Sequence, residues 1–422
     1  MKRRTLLLSG LAGATGLTLL ARPEDRGANH TAYFQQLGRA LHAAGHATPT
    51  LVVDQRYLAE NIRTLQGHIN SRFNYRVVAK SLPSPDLLQT VMTATGSQRL
   101  MLFHQPFINH VAERFPRSDV LLGKPMPVAA ARNFYAAHKP GNGFAPERQL
   151  HWLLDTPARL RQYISLAEAL DTRMLICIEL DVGLHRGGVD SDAQLIDMLD
   201  LIAASPHVSF SGFMGYEPHI VKVPGDPLAY RDAAMQRYSH FLGLARQRLG
   251  NAWPEDALLN AGGSPTYQLY DTGSFPFNEL ATGSCLVKPG DFDMPSLADH
   301  RAAAWIAAPV LKSADSLQIP GINLGPLQRL WDVNRARTFF TYGGYWKAEP
   351  VSPAGLTSNP LFGRSTNQEM LNGSASIDLT VDDWVFLRPT QSEFVFLQFG
   401  DIAVYDGSRI NAHWPIFPAD TT

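Results

Sequence analysis

Cysteine is scarce: the 422-residue sequence holds two, Cys177 and Cys285, and no Cys-x-x-Cys pair. That count excludes a disulfide framework and gives no zinc knuckle. Charge of one sign is also missing, because 37 Lys and Arg stand against 38 Asp and Glu. A near-neutral balance argues against a nucleic-acid partner and against a polybasic membrane surface. No apolar stretch after the N-terminus is long enough to span a bilayer, and neither internal repeats nor low-complexity tracts occur. What is left is an ordinary globular composition, 45% hydrophobic, in a chain long enough to form two domains.

The N-terminus carries a sorting pattern. Met1-Lys-Arg-Arg4 places positive charge ahead of a Gly- and Ala-rich apolar run that ends near Ala21. This reads as a removable export signal over residues 1–24. Arg3 and Arg4 before Thr5, Leu6 and Leu7 resemble a twin-arginine signal, a route for proteins exported already folded. The expected location is the periplasm, with no membrane contact once the signal is removed.

From residue 48 the chain alternates. A strand at 48–54 and an amphipathic helix over 57–69 are followed by apolar strand candidates at 75–79, 99–103, 119–123, 150–154, 174–180, 210–215, 257–261 and 279–287. Helical patterns at 85–95, 106–115, 127–138, 156–170, 191–204 and 227–249 lie between them. Eight strand-plus-connection units are what a closed (β/α)8 barrel of the TIM type needs, although an open doubly wound sheet also alternates. The barrel is expected over 48–289. Past Gly290 short β-rich runs separated by Gly, Pro and Asp turns take over, at 303–311, 337–342, 376–380, 384–387, 394–397 and 402–405. They predict a mostly-β domain over 290–422.

Chemistry gathers where the strands end. Lys80 follows the apolar run Val77-Val-Ala79 and precedes Pro83, so it stands at the end of a buried parallel strand, where α/β barrels keep their active sites. An amine desolvated there has a lowered pKa and is a nucleophile able to form a Schiff base with an aldehyde. Most lysines are solvated surface charges; position alone sets this one apart. Arg186 lies among glycines after the strand at 174–180, which suits a fixed guanidinium that donates to an oxyanion. Tyr216 and His219 end the next strand, and a lone histidine there is as often structural as catalytic. Gly262, Gly263, Ser264 and Thr266, and then Gly283 and Ser284, form two small-residue turns suited to an anion such as phosphate. Each turn alone is weak evidence, because Gly-rich turns are common.

Taken in order, Thr48-Pro-Thr-Leu-Val-Val-Asp54, Asn61-Ile62, Ala79-Lys80, Asp181-Val-Gly-Leu-His-Arg-Gly-Gly-Val189, Gly215-Tyr-Glu-Pro-His219, Gly262-Gly-Ser-Pro-Thr266 and Glu279 through Ser284 resemble the D-threonine aldolases and D-serine dehydratases. These are fold type III pyridoxal-phosphate enzymes that share the alanine racemase barrel. The resemblance implies a pyridoxal 5'-phosphate cofactor held covalently by Lys80, with Arg186 near its phenolic oxygen and Tyr216 along its ring. It further implies that Gly262, Gly263, Ser264, Thr266, Gly283 and Ser284 hold the phosphate, and that His219 is an acid/base group near the substrate's β-carbon. Small-molecule amino-acid substrates and a homodimer are implied as well, with the segments at 342–346 and 367–369 reaching toward a partner. The sequence departs from the family in one place. Its members carry a divalent metal on a His-x-Cys or His-x-Asp pair near the C-terminus, and the matching stretch from Gln391-Ser-Glu393 through Asp401 to His413 has neither. No metal is therefore expected.

Three functions fit this pattern. The first is a pyridoxal-phosphate lyase acting on a β-hydroxy D-amino acid, by retro-aldol cleavage or dehydration. A racemase using the same cofactor is the alternative; it needs Lys80 and a second acid/base on the opposite face. A non-catalytic cofactor-binding protein is disfavoured by the large β domain.

Overall fold

Short apolar runs closed by Gly, Pro or a polar turn become parallel strands here, because a strand covered on both faces needs no polar alternation. The structure is a computed structural model that describes residues 23–315, 332–360 and 362–418. Strand β1 (Thr50–Asp54) comes first and lies outside the barrel. The closed barrel is β2 (Asn74–Val78), β3 (Arg99–Leu102), β4 (Asp119–Leu122), β5 (Leu150–Leu154), β6 (Met174–Leu180), β7 (Val208–Gly215), β8 (Leu258–Ala261) and β9 (Glu279–Thr282). All neighbours are parallel, and β2 closes on β9 with Asn74 opposite Glu279. Each strand falls on one of the eight runs expected from the sequence.

The helices between them start where capping chemistry allows. Ser84, Thr156 and Asp226 each stand directly before a proline, and their side chains accept from the amides of Leu87, Arg159 and Leu228. Proline at the first helical position loses no bond, and each such cap contributes about 1 kcal/mol. These caps open the helices Pro85–Thr95, Pro157–Ala169 and Pro227–Leu249. The link before β9 has only the 3-10 turn Tyr267–Tyr270 and no α-helix. The last expected strand, 279–287, stops at Thr282, and Ser284–Val287 is a short helix. A side chain at position 283 has no room, since a Cβ there meets the Val78 carbonyl oxygen at 2.6 Å.

The chain forms two compact units, and the division is not a single cut at 290. One unit holds 54–303 together with 391–402 and 413–418; the other holds 23–53, the described part of 304–390, and 403–412. The second unit contains most of a nine-stranded sheet. Its path is β13 (Thr357–Ser358), β14 (Gln368–Gly373), β11 (Arg337–Tyr342), β10 (Ala304–Ala314), β1, β16 (Asp401–Tyr405) and β17 (Ile410–Pro415). β15 (Trp384–Pro389) also pairs with β10, and β12 (Ala348–Ser352) pairs with β15. A local pattern marks Thr50–Asp54 as a strand without saying which sheet it joins. Pairing with β10 puts it in the β-rich unit.

Two of the expected β runs are not strands. Ser376 lies in a turn and 377–380 join no ladder; Arg337 donates to the Ile377 and Leu379 carbonyls instead. Residues 394–396 fall in the short helix Glu393–Phe396, with Leu397 as its C-cap; the helix buries Val395 and Phe396 and leaves Phe394 75% exposed. Four apolar residues in a row carry no period that separates the two states. The stretch 367–369, read as a loop, runs into β14. The export signal expected at 1–24 falls almost wholly on residues 1–22, outside the described residues. No helix among the described residues is long and apolar enough to cross a membrane.

Candidate active site at the carboxyl end of the barrel

β2 ends at Val78, and the 3-10 turn Ala79–Ser81 carries Lys80 out at the carboxyl end of the barrel. Its Nζ lies 2.8 Å from Glu393 Oε1 and 4.6 Å from the centroid of the Phe103 ring. With 37% of its side chain exposed, the amine is not sealed from water as the sequence reading expects. A carboxylate and an aromatic face hold it in place instead.

A cavity of about 80 Å³ opens beside it, lined by Lys80, Ser81, Arg186, Tyr216, Gly262, Gly263, Ser264, Gly283, Ser284 and Glu393 among others. The two small-residue turns therefore meet the lysine, as the order of strand ends requires. They also hold each other. Ser264 Oγ accepts from the Gly283 and Cys285 amides and lies 3.0 Å from Thr282 Oγ1, while the Ser81 and Ser284 hydroxyls are 2.8 Å apart. A Cβ on Gly263 meets the Tyr216 ring at 2.8 Å, and one on Gly262 meets Leu280 at 2.6 Å. Bare backbone is what leaves this concavity open.

Arg186 stacks on the far side, its guanidinium 5.2 Å from the Tyr216 ring centroid. The loop that carries it is folded by Asp181, which accepts from the Gly183 and His185 amides and from His185 Nδ1. Burial pushes the Tyr216 phenol up to about 12, against the pull of Arg186, so it stays protonated at neutral pH. A larger cavity of about 410 Å³ adjoins the first and shares Lys80, Phe103, Gly123, Arg186 and Glu393 with it. It adds His104, Lys124, Asp155 and Glu179. Burial, then Asp155, push the Glu179 carboxyl up to about 7 despite Arg186.

Two expected site residues are not brought to the smaller cavity. The Thr266 hydroxyl donates to Glu217 (2.9 Å), a fully buried carboxyl that also accepts from Tyr270 and from the Gly262 amide. Burial pushes Glu217 up to about 7 against those three donors. His219 sits in the 3-10 turn Pro218–Val221, with Nε2 against Gly183, and its buried Nδ1 has no partner among the described residues. Burial and the nearby His185 hold its imidazole below the ordinary range. It lines neither cavity.

Sequence reasoning missed Glu393 and Glu179 as members of this site and Glu217 as the anchor that holds Thr266. Glu217 directly follows Tyr216, Glu179 stands in the strand at 174–180, and Glu393 lies near the start of the stretch that stands where the family places its metal pair; those were the available signals. Among the described residues no group of three or more His, Cys, Asp or Glu side chains is arranged to hold a metal ion.

The sequence model of the alanine racemase N-terminal domain matches residues 53–289, more than half of the chain and the full circuit of the barrel. The chain belongs to that family. Its fold is type III of the pyridoxal-phosphate enzymes. Among solved structures the chain is similar to D-threonine aldolase from Filomicrobium marinum, at TM-score 0.70 and 15% identity over 89% of this chain and 96% of that one. It is similar also to D-threo-3-hydroxyaspartate dehydratase from Delftia sp. HT23, at TM-score 0.65 and 15% identity over 88% and 97%. Alanine racemase from Bacillus anthracis aligns at TM-score 0.66 and 12% identity over 88% and 98%. Such low identities speak for the fold alone. No curated protein matches the sequence.

Proposed function

We propose that the chain is a pyridoxal-phosphate-dependent lyase that cleaves or dehydrates a β-hydroxy D-amino acid. The observation that carries this reading is the meeting of Lys80, Arg186, Tyr216 and two glycine-and-serine turns in one cavity. The residues fit the cofactor. The open backbone at Gly262, Gly263 and Gly283, where added Cβ atoms meet Leu280, Tyr216 and Val78, suits a phosphate. Lys80 would offer the amine for its aldehyde, Arg186 a donor for its phenolic oxygen, and Tyr216 a wall for its ring. When bound, the cofactor supplies an electron sink for the bond broken at the substrate's Cα.

The protein's part is to orient that bond and move protons. The Arg186 guanidinium offers donors and no acceptor, and Tyr216 keeps its proton near neutrality, so both bind and orient. The adjoining cavity, with Phe103, Lys124 and Glu179 on its walls, suits the substrate's side chain. Likeness in fold to an aldolase and a dehydratase of D-amino acids supports the substrate class. The family match and the likeness to an alanine racemase favour racemisation as the second reading. We also propose a homodimer, as the resemblance implies, and a periplasmic location, supported by the charge-then-apolar pattern at residues 1–24.

The test is to titrate the purified protein with pyridoxal 5'-phosphate, follow its absorbance, and then offer a panel of D- and L-amino acids with chiral analysis of the products. Glycine plus an aldehyde, or a keto acid plus ammonia, from a β-hydroxy D-amino acid is the expected result. An inverted amino acid as the sole product replaces the lyase by the racemase. No cofactor uptake overturns both.

A further inference from the structure

We propose that Glu393 is the proton partner of the substrate's β-oxygen, a catalytic carboxylate supplied by the segment 391–402. The inference rests on the reading of Lys80 as the cofactor lysine and names the acid/base group of that same site.

The titratable side chains lining the smaller cavity are Lys80, Arg186, Tyr216 and Glu393. Arg186 does not release a proton in proteins, and burial keeps Tyr216 protonated near neutrality. Lys80, freed when the substrate's amino group displaces it, serves the proton at Cα. Glu393 is what remains, and it is the one acid whose side chain lines both cavities. Its Oε1 is 2.8 Å from Lys80 Nζ, the nitrogen a substrate's amino group must displace. The β-oxygen of a bound amino acid lies a few bonds from that amino group. Glu393 is itself 34% exposed, so water reaches its carboxylate.

Its placement is deliberate in the fold. Glu393 opens the short helix Glu393–Phe396, whose buried Val395 and Phe396 anchor it. His219, the sequence-level candidate for this role, faces Gly183 and lines neither cavity.

The proton count closes in both directions of the proposed chemistry. In cleavage, the Glu393 carboxylate takes the β-hydroxyl proton, the O–H electron pair becomes the second bond of the aldehyde carbonyl, and the Cα–Cβ pair withdraws toward the cofactor. Lys80 in its ammonium form then delivers a proton to Cα to complete glycine, and Glu393 passes the β-hydroxyl proton back to Lys80 across the 2.8 Å contact. In dehydration, the protonated acid gives its proton to the departing hydroxyl, which leaves as water with the Cβ–O pair, while the Lys80 amine takes the Cα proton.

The experiment compares wild type, Glu393→Gln, Glu393→Asp and His219→Ala in the full chain. It reads three quantities: uptake of pyridoxal 5'-phosphate by absorbance, the spectral change on adding D-threonine or D-serine, and turnover. We expect Glu393→Gln to take up cofactor within about threefold of wild type and to keep the spectral change. Its turnover falls by about 10²- to 10⁴-fold, the range of a lost general acid or base. Glu393→Asp recovers part of that loss. Turnover by Glu393→Gln within threefold of wild type overturns the proposal, and loss in His219→Ala alone hands the role to the histidine. Failure of Glu393→Gln to take up cofactor also overturns it, reducing Glu393 to a support for Lys80. A wild type that loads cofactor but only inverts amino acids overturns the β-oxygen role while leaving the cofactor site standing; a wild type that loads none overturns both.

Discussion

The two ends of the barrel handle charge in opposite ways. Toward the amino ends of the strands Arg76 is fully buried, and every nearby group answers it. Its Nε lies 2.5 Å from Glu279 Oε1 and its Nη2 2.6 Å from Asp119, while Nη1 donates to the Leu100 and Asp119 carbonyls. Arg99, Asn260 and His151 complete the network on Glu279 and Asp119. Burial alone would raise the Asp119 carboxyl, but Arg76 and His151 overcome it and hold the group well below its usual range. At the carboxyl end, Lys80 and Glu393 form one half-exposed pair facing an open cavity. A satisfied network holds structure; a pair with spare valence and space in front of it can do chemistry.

Breaking the satisfied end has the largest expected effect. Glu279→Ala leaves Arg76 buried and half-paired, and removing one partner of a buried ion pair costs about 3–5 kcal/mol. The urea midpoint should fall accordingly, with the circular dichroism of any folded protein unchanged. A midpoint within experimental error of wild type dissolves the contrast between the two ends.

The next effect is pH-dependent. Glu217 is raised to about 7 in the folded chain from an ordinary 4.5, so the folded state binds the extra proton between those values. Stability then falls as pH rises through that window, by at most about 3 kcal/mol, and levels off above it. Glu179, raised to about 7 as well, adds a slope of the same sign, so Glu217→Gln should lessen the slope in urea titrations at pH 5 and pH 8 without abolishing it. An unchanged slope assigns it to other groups.

Smaller still is Gly283→Ala, which sets a Cβ against the Val78 carbonyl. Overpacking of this kind costs about 1–3 kcal/mol. It should also weaken pyridoxal 5'-phosphate binding by about tenfold or more, read by absorbance titration. Retained affinity removes the 283–284 turn from the cofactor site.

The contrast also explains what was legible in the sequence. Barrel strands such as Leu150–Leu154 are buried at every position, so they stand out as unbroken apolar runs. Helix starts are written locally, in Ser84-Pro85, Thr156-Pro157 and Asp226-Pro227. Lys80, Arg186, Tyr216 and the two small-residue turns could be picked out because parallel strands point their carboxyl ends one way, so residues just past them converge. Pairings across the chain were not legible. Arg76 meets Glu279 over a separation of 203 residues, and neither looks unusual in its own run. Glu393 meets Lys80 from the far end of the chain, in an apolar stretch whose helical state has no periodic mark. Thr266 and His219 have the right chemistry at the right strand ends, but the Thr266 hydroxyl is taken by Glu217 and His219 packs against Gly183.

The central claim is that the amine of Lys80 is the one that captures the cofactor. Loading the full chain with pyridoxal 5'-phosphate, fixing the adduct with borohydride and locating it by peptide mass tests this directly. The account predicts a single modified peptide containing Lys80, lost in Lys80→Ala while the fold persists. An adduct on Lys124, which lines the adjoining cavity, or one that survives Lys80→Ala, contradicts it.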